Sequence, residues 1–297
     1  MFFQDCKLAH QAQITGISHS VKEILPPDLL DLTQLQKEAN IRYGYTASEV
    51  YDIAQSLYEK KLISYPRTSS RYLTEDVFDS LPPIMARLLS WELFPAAKGT
   101  ASIDISSLFR HVINAEKNNV HHAIIITGIR PGNLSEKEMQ VYRLVAGRML
   151  EAFMAPCRIE TTNVEAVCAA QHFKAEQTRI IEAGWHDVFM HSDMVPKSGY
   201  SVNELPEVEK SDTLNVCGCN MVHKKQMPVN PFTDAELVEY MEQNGLGTVS
   251  SRTNIIRTLV NRKYIRYSGK YIVPTPKGVF TYETCLLYTS PSPRDRS

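Results

Sequence analysis

The segment LISYPRTSSRYL, residues 62–73, sets a phenol, Tyr65, two positions from a guanidinium, Arg67. Three hydroxyl residues follow, Thr68, Ser69 and Ser70, and then a second arginine, Arg71. In an extended chain the i and i+2 side chains share a face, which puts Arg67 beside the Tyr65 hydroxyl. Pro66 fixes its own φ and biases Tyr65 toward extended geometry. A phenol titrates near a pH of about 10, so a tyrosine nucleophile at neutral pH needs help. A neighbouring cation both favours the phenolate and holds an anion under attack. These residues leave two readings open. One is a strand entering a turn, the commoner setting for a tyrosine near an arginine; the other is a nucleophile held beside a phosphate-binding arginine. HHAIIITG, residues 121–128, offers a second candidate in His121. Paired histidines leading into an apolar strand are surface residues by default, but beside a phosphodiester a histidine can contact phosphate or move a proton.

Helices must carry these segments. Between residues 22 and 64, two helical stretches flank Gly44, and the second opens with the capping box Thr46 to Glu49. Val50, Ile53, Ala54, Leu57 and Tyr58 follow the spacing of a buried helical stripe. Ser135 and Glu138 form another capping box, opening a helix whose largely apolar face is Met139, Tyr142, Leu144, Val145, Met149 and Leu150. From about Cys157 to Val216 the period changes. RIETTNVEAVCAA, HFKAEQTRIIEAG and WHDVFM are rich in Val, Ile, Thr and aromatic residues and predict antiparallel strands, whereas the Pro- and Gly-broken residues 192–212 predict a loop.

A third capping box, Thr233 to Glu236, starts a helix with Leu237, Val238, Tyr240 and Met241 on its apolar side. The turn NGLGT leads into a helix from about Ser250 to Lys263, with Ile255, Ile256, Leu259 and Val260 predicted inward. A hairpin is predicted around Ser268-Gly269-Lys270. Helix, turn, helix and hairpin is the order of a winged helix. From Ser251 to Tyr282 there is no Asp or Glu, while Arg252, Arg257, Arg262, Lys263, Arg266, Lys270 and Lys277 are basic. That is a candidate phosphate-binding face, with Tyr264, Tyr267 and Tyr271 available to stack on unpaired bases. A solvated basic surface is the plainer alternative.

The chain as a whole is nearly neutral, with a net charge of −1, so any case for nucleic acid rests on local charge. Its 43% hydrophobic and 22% charged residues describe an ordinary soluble protein, and its 297 residues allow about two domains. No apolar run approaches the ~20 residues of a membrane span, and the start lacks the pattern of a signal peptide. Six cysteines are too sparse for a disulfide scaffold and fit a cytoplasmic setting. Cys217-Gly218-Cys219 lacks a second pair of ligands for a metal. The closing LLYTSPSPRDRS has no periodicity and is read as disordered and as a candidate non-native extension.

Taken together, the motifs resemble the type IA DNA topoisomerases, most closely the bacterial topoisomerase III kind. LTQLQKEANIRYGYTASEVYDIAQSLYEKKLISYPRTSSRYL, residues 32–73, follows that family's pattern ending in YPRTDSRYL. HHAIIITG is similar to its HHAIIPTG and GWHDVF to a short element of its arch, while residues 232–265 resemble its helix–GIGT–helix element. The resemblance runs from about residue 1 to 283.

It implies an α+β fold, a type IA core with two winged-helix-like (CAP-like) units joined by an antiparallel β arch. The implied boundaries are 1–26 for part of the arch or gate region, 27–153 for the catalytic tyrosine domain, 154–226 for the β-rich arch and 227–284 for a winged-helix-like single-strand-binding domain. Residues 285–297 form the tail. Tyr65 matches the nucleophile that forms a 5′-phosphotyrosine link, Arg67 the arginine on the scissile phosphate, and His121 the active-site histidine. Thr68, Ser69, Gly245, Gly247, Thr248, Arg252 and Arg257 fall at DNA-contacting positions. The implied activity is ATP-independent cleavage, strand passage and religation of single-stranded DNA by a cytoplasmic monomer with no membrane partner. The alternative is a catalytically inactive single-stranded DNA-binding module.

Three residues depart from the pattern: Ser69 stands where the family has Asp, and Ile126 and Val249 where it has Pro. No D-x-D acidic cluster occurs in the chain. The Mg²⁺ that the family implies is therefore expected on a Toprim portion of the same protein outside this sequence, with no metal ligands here.

Overall fold

The computed structural model describes residues 5, 6, 8–91, 93–94, 112–114, 121–190, 205–222 and 230–289. They fall into two compact units, Met1–Pro26 with Phe153–Pro228, and Pro27–Ala152 with Val229–Ser297.

The first unit is built on an antiparallel sheet. Its strands are β1 (Gln11–Ile24), β2 (Cys157–Cys168), β3 (Gln171–Glu182) and β4 (Thr213–Asn215), in the order β3-β2-β1-β4. β1 pairs with β2 from Gln13↔Val167 to Ile24↔Cys157, with an irregularity between Ile14 and Gly16. β1 was not anticipated as a strand. Its sequence, QAQITGISHSVKEI, is mostly exposed on both faces, so no apolar alternation marks it. Backbone pairing and cross-strand pairs hold this sheet. Arg158 and Glu182, Glu160 and Arg179, and Glu165 and Lys174 sit directly opposite one another and are ion-paired. Exposed pairs of this kind contribute at most about 1 kcal/mol each.

WHDVFM, expected as a strand, is instead a 3₁₀ turn at Gly184–His186 followed by a short helix, Asp187–Met190. Trp185 Nε1 donates to the Ile24 carbonyl at 3.0 Å, so the aromatic serves as a peg against the end of β1. Of the predicted loop, residues 192–204 lie outside the described residues and 205–210 are irregular.

The second unit is helical. Its elements are α1 (Leu32–Tyr43), α2 (Ala47–Glu59), α3 (Glu75–Asp79), α4 (Leu81–Ser90), α5 (Glu136–Ala152), α6 (Asp234–Gln243), α7 (Val249–Asn261), the hairpin β5 (Ile265–Ser268) and β6 (Tyr271–Pro274), and α8 (Pro276–Thr289). Gly44 ends α1 in the left-handed conformation. The capping boxes Thr46–Glu49 and Thr233–Glu236 form as expected. Ser135 and Glu138 likewise exchange amide bonds ahead of α5. Leu35, Ala39, Val50, Ala54, Leu57, Val141, Tyr142, Val145 and Met149 are buried from α1, α2 and α5. A second cluster joins Ala47 to Val238, Met241, Ile256 and Ile272. Arg148 donates to Glu38, Glu151 and the Asp28 carbonyl, tying α5 to the start of the unit, and burial pushes Glu151 up to about 7.

Three kinds of sequence expectation need correction here. Tyr58, Tyr240 and Ile255 were assigned to buried stripes but are exposed. HHAIIITG forms isolated bridges, Leu30↔Ile124 and Ile63↔Ile126, and not a strand. Residues 285–289, assigned to a disordered tail, close helix α8, while 290–297 lie outside the described residues. Among the described residues no helix is long and apolar enough to cross a membrane.

The β2–β3 turn yields a test. Its two central residues, Ala169 and Ala170, have φ of 48° and 62°, as a type I′ turn demands. Alanine is strained there and Gly is not. Ala170→Gly should therefore stabilise the first unit by about 0.5–1 kcal/mol in urea unfolding; loss of stability would mean that this turn is not of that type.

Candidate active site

The chain around Tyr65 is extended without belonging to a sheet, and main-chain bonds to two neighbours fix it. Ser64 N donates to Ile125 O at 2.8 Å and Thr127 N to Leu62 O at 3.1 Å. On the other side of the 121–127 segment, Ile124 N donates to Leu30 O and Ala123 N to Tyr72 O. Residues 121–127 are thus clamped between the segment before α1 and the segment bearing Tyr65. The Ser64 hydroxyl adds a bond to Ala123 O and accepts the Ile125 amide. This clamp brings His121 to Tyr65, with ring centroids 4.5 Å apart. The rings of Tyr58 and Tyr65 meet edge to face, with centroids 5.5 Å apart.

Arg67 lies over the ring of Tyr51 at 5.0 Å, and its Nη2 donates to Gln55 Oε1 at 3.3 Å. Its Nε is buried with no hydrogen-bond partner among the described residues. Thr68 is buried: its hydroxyl donates to the His121 carbonyl and accepts the Ser70 amide, and its carbonyl accepts the Leu32 amide. Ser69 is exposed. Tyr65, Arg67, Thr68 and His121 are therefore held in one cluster. The arrangement offers a phenol, an imidazole and a guanidinium with an unspent donor.

Asp31 anchors the segment's far end. One carboxylate oxygen accepts the Gln34 amide, capping α1, and the other accepts Arg71 Nε, both at 2.7 Å. Burial pushes the Asp31 carboxyl above its ordinary value, against the opposing pull of the Gln34 amide and Arg71.

Gly245, Gly247, Thr248, Arg252 and Arg257 form a separate network. Gly245 and Gly247 have φ of 65° and 70°, in the turn between α6 and α7. A Cβ on Gly247 would stand 3.0 Å from both Ser251 Oγ and Ile255 Cδ1. Thr248 caps α7 in exchange with Ser251. Arg252 is buried, donating to Glu242 at 3.1 Å and to the Leu246 carbonyl at 3.3 Å. Arg257 donates to Ser48 and Asp52 at the start of α2. Two arginines expected to meet phosphate are thus engaged within the protein, Arg252 by Glu242 of the preceding helix and Arg257 by Asp52, far away in sequence. Arg262, Lys263, Arg266, Lys270 and Lys277 remain exposed.

Sequence reasoning missed Tyr51 and Gln55. The available signal was their i, i+4 spacing, one position beyond the buried stripe.

A family model described as DNA topoisomerase matches residues 1–289. The DNA topoisomerase 3 of Bacillus licheniformis is 33% identical over 291 residues, covering 90% of this chain and 40% of the relative. The DNA topoisomerase 1 of Methanocaldococcus jannaschii is 31% identical over 282 residues, covering 95% of the chain and 36% of the relative. The chain thus spans about 40% of the length of the curated relatives it matches. Among solved structures, full-length topoisomerase I from Thermotoga maritima superposes with a TM-score of 0.74 at 22% identity, over 97% of this chain and 47% of that one, a likeness of fold.

Asp31→Ala removes both the cap and the Arg71 partner, and should cost about 1–3 kcal/mol in urea unfolding of the full chain. Asp31→Asn, which keeps an acceptor for Gln34, should cost less. Equal losses would assign the effect to the Arg71 pair alone.

Proposed function

The chain belongs to the DNA topoisomerase family, and we propose that it carries the strand-cleaving portion of a type IA enzyme acting on single-stranded DNA. In this reading Tyr65 Oη attacks a phosphodiester phosphorus. A tyrosine O–P bond to the 5′ phosphate forms, the bond to the 3′ oxygen breaks, the phenol gives up its proton and the 3′ oxygen gains one. Religation reverses these steps after the second strand has passed, so bond energy is conserved without ATP. The observation that carries the reading is the Tyr65–His121 ring pair, with Arg67 two positions along the same extended segment and its Nε unbonded among the described residues. Arg67 would bind a phosphate oxygen in a charge-assisted bond. His121 would contact the phosphate or move a proton.

Mg²⁺ is the family's cofactor. Among the described residues no group of three or more His, Cys, Asp or Glu side chains could hold a metal ion, and Ser69 brings no charge to the cluster. The described residues do not fit the ion. We assign its ligands, and a Toprim portion, to the part of the relatives' length that this chain does not span.

The helix–turn–helix–hairpin of α6, α7, β5 and β6 supports a winged-helix single-strand-binding role. Its phosphate contacts would come from Arg262, Lys263, Arg266 and Lys270, while Arg252 shapes the glycine turn. Lys277 stacks over Tyr264 and Lys270 over Tyr271, leaving aromatic and cationic groups side by side. We place the arch in the first unit, from residues 1–26 and 154–226, and the catalytic tyrosine domain at 27–153.

Joined to the N-terminal portion of a DNA topoisomerase 3 relative, the chain should form a covalent adduct with a single-stranded oligonucleotide. Tyr65→Phe should abolish that adduct and leave oligonucleotide affinity within about twofold, since only the phenolic oxygen is lost; an adduct mapped to Tyr72 would overturn the assignment. His121→Ala should slow cleavage by about 10²- to 10⁴-fold without ending it.

For the full chain alone, replacing Arg266 and Lys270 with Ala should flatten the slope of log affinity against log salt by about one unit or more. Arg252→Ala should leave that slope in place and lower stability instead. A slope set by Arg252 would return that residue to the DNA face.

A further inference from the structure

Helix α2 presents two adjacent faces with different tasks. Val50, Ala54 and Leu57 are buried in the core. One residue further on, rotated by about 100°, Tyr51, Gln55 and Tyr58 form the next stripe, and each touches the candidate site. Tyr51 lies under the Arg67 guanidinium at 5.0 Å, Gln55 accepts from Arg67 Nη2, and Tyr58 packs its edge on Tyr65. Gln55 is itself oriented: its Nε2 donates to Glu59 Oε1 at 2.8 Å, one turn further along α2. An amide whose nitrogen is bound to a carboxylate must turn its oxygen the other way, toward the guanidinium. Glu59, Gln55 and Arg67 thus form a directed relay of hydrogen bonds.

The relay resolves a conflict that Arg67 faces on its own. A flexible arginine loses rotamer freedom when it binds phosphate, and a carboxylate partner would hold it still only by neutralising the charge the phosphate needs. Gln55 and Tyr51 fix the guanidinium with a neutral acceptor and a ring face, leaving the positive charge and the Nε donor uncommitted.

We infer that Tyr51 and Gln55 are positioning residues that hold Arg67 ready for the scissile phosphate without cancelling its charge. The inference rests on the strand-cleavage reading above, and a double-mutant cycle on the joined protein tests it. The readout is single-turnover formation of the Tyr65 adduct with a single-stranded oligonucleotide. Gln55→Met, close in size and lacking the acceptor, and Tyr51→Leu should each slow adduct formation by about ten- to a hundredfold, the scale of a misplaced catalytic group. In an Arg67→Ala background the same substitutions should cost less than about twofold, because they act through the removed side chain. Full additivity with Arg67→Ala would show a merely structural role and overturn the inference, as would unchanged rates in the single variants. If Tyr65→Phe abolishes the adduct while Gln55→Met and Tyr51→Leu leave its rate alone, the inference fails and the cleavage reading stands. If the parent forms no adduct at Tyr65, both fall.

Discussion

The Asp31 carboxylate holds together three things that the candidate site needs at once. It starts α1 by capping the Gln34 amide, it seats the end of the YPRTSSRY segment through Arg71, and its neighbours Leu30 and Leu32 bond to Ile124 and Thr68. A residue this buried gains little net stability from an ion pair, since burial works against its charge. Its value is positional. Two extended segments with no sheet to fix their register are tied to one helix end, and His121 arrives beside Tyr65 as a result.

Charge elsewhere in the second unit is distributed by the same logic. The run from Ser251 to Tyr282 carries only basic side chains in sequence, yet in space Glu242 and Asp52 meet Arg252 and Arg257. Asp234, also buried, accepts from the Ala47 amide and the Tyr267 hydroxyl. Gln36 bridges the Ala47 carbonyl to Thr253. The joint between α2 and the α6–α7 element is therefore polar and directional. Bonds of this kind specify one geometry more sharply than apolar contact does. The cations left exposed lie on the hairpin side, from Arg262 onward.

What could be read from the sequence followed from how local each signal was. Capping boxes and buried stripes depend on residues three or four apart, so α1, α2, α5, α6 and α7 were legible from spacing alone. β1 was not, because a sheet exposed on both faces has no alternation to show, and its hairpin partner turns on two alanines and not on Asn-Gly. WHDVFM was misread because Val, Phe and Trp favour strands by propensity, while here Trp185 is spent on the Ile24 carbonyl. In the site, the i, i+2 relation of Tyr65 and Arg67 was visible. The partners of Arg67 were not, since a tyrosine and a glutamine one step off a core stripe look like solvated surface until the segment bearing Arg67 lies over them.

The described residues gather a phenol, an imidazole and a guanidinium held by a neutral amide, and no group of three or more His, Cys, Asp or Glu side chains among them could hold a metal ion. The neutral glutamine beside Arg67 adds no negative charge next to its guanidinium. A carboxylate in that place would pair with the guanidinium and cancel part of its charge. The guanidinium of Arg67 is held by a ring face and a neutral amide, while the ion pair of Asp31 with Arg71 is spent at the far end of the same segment.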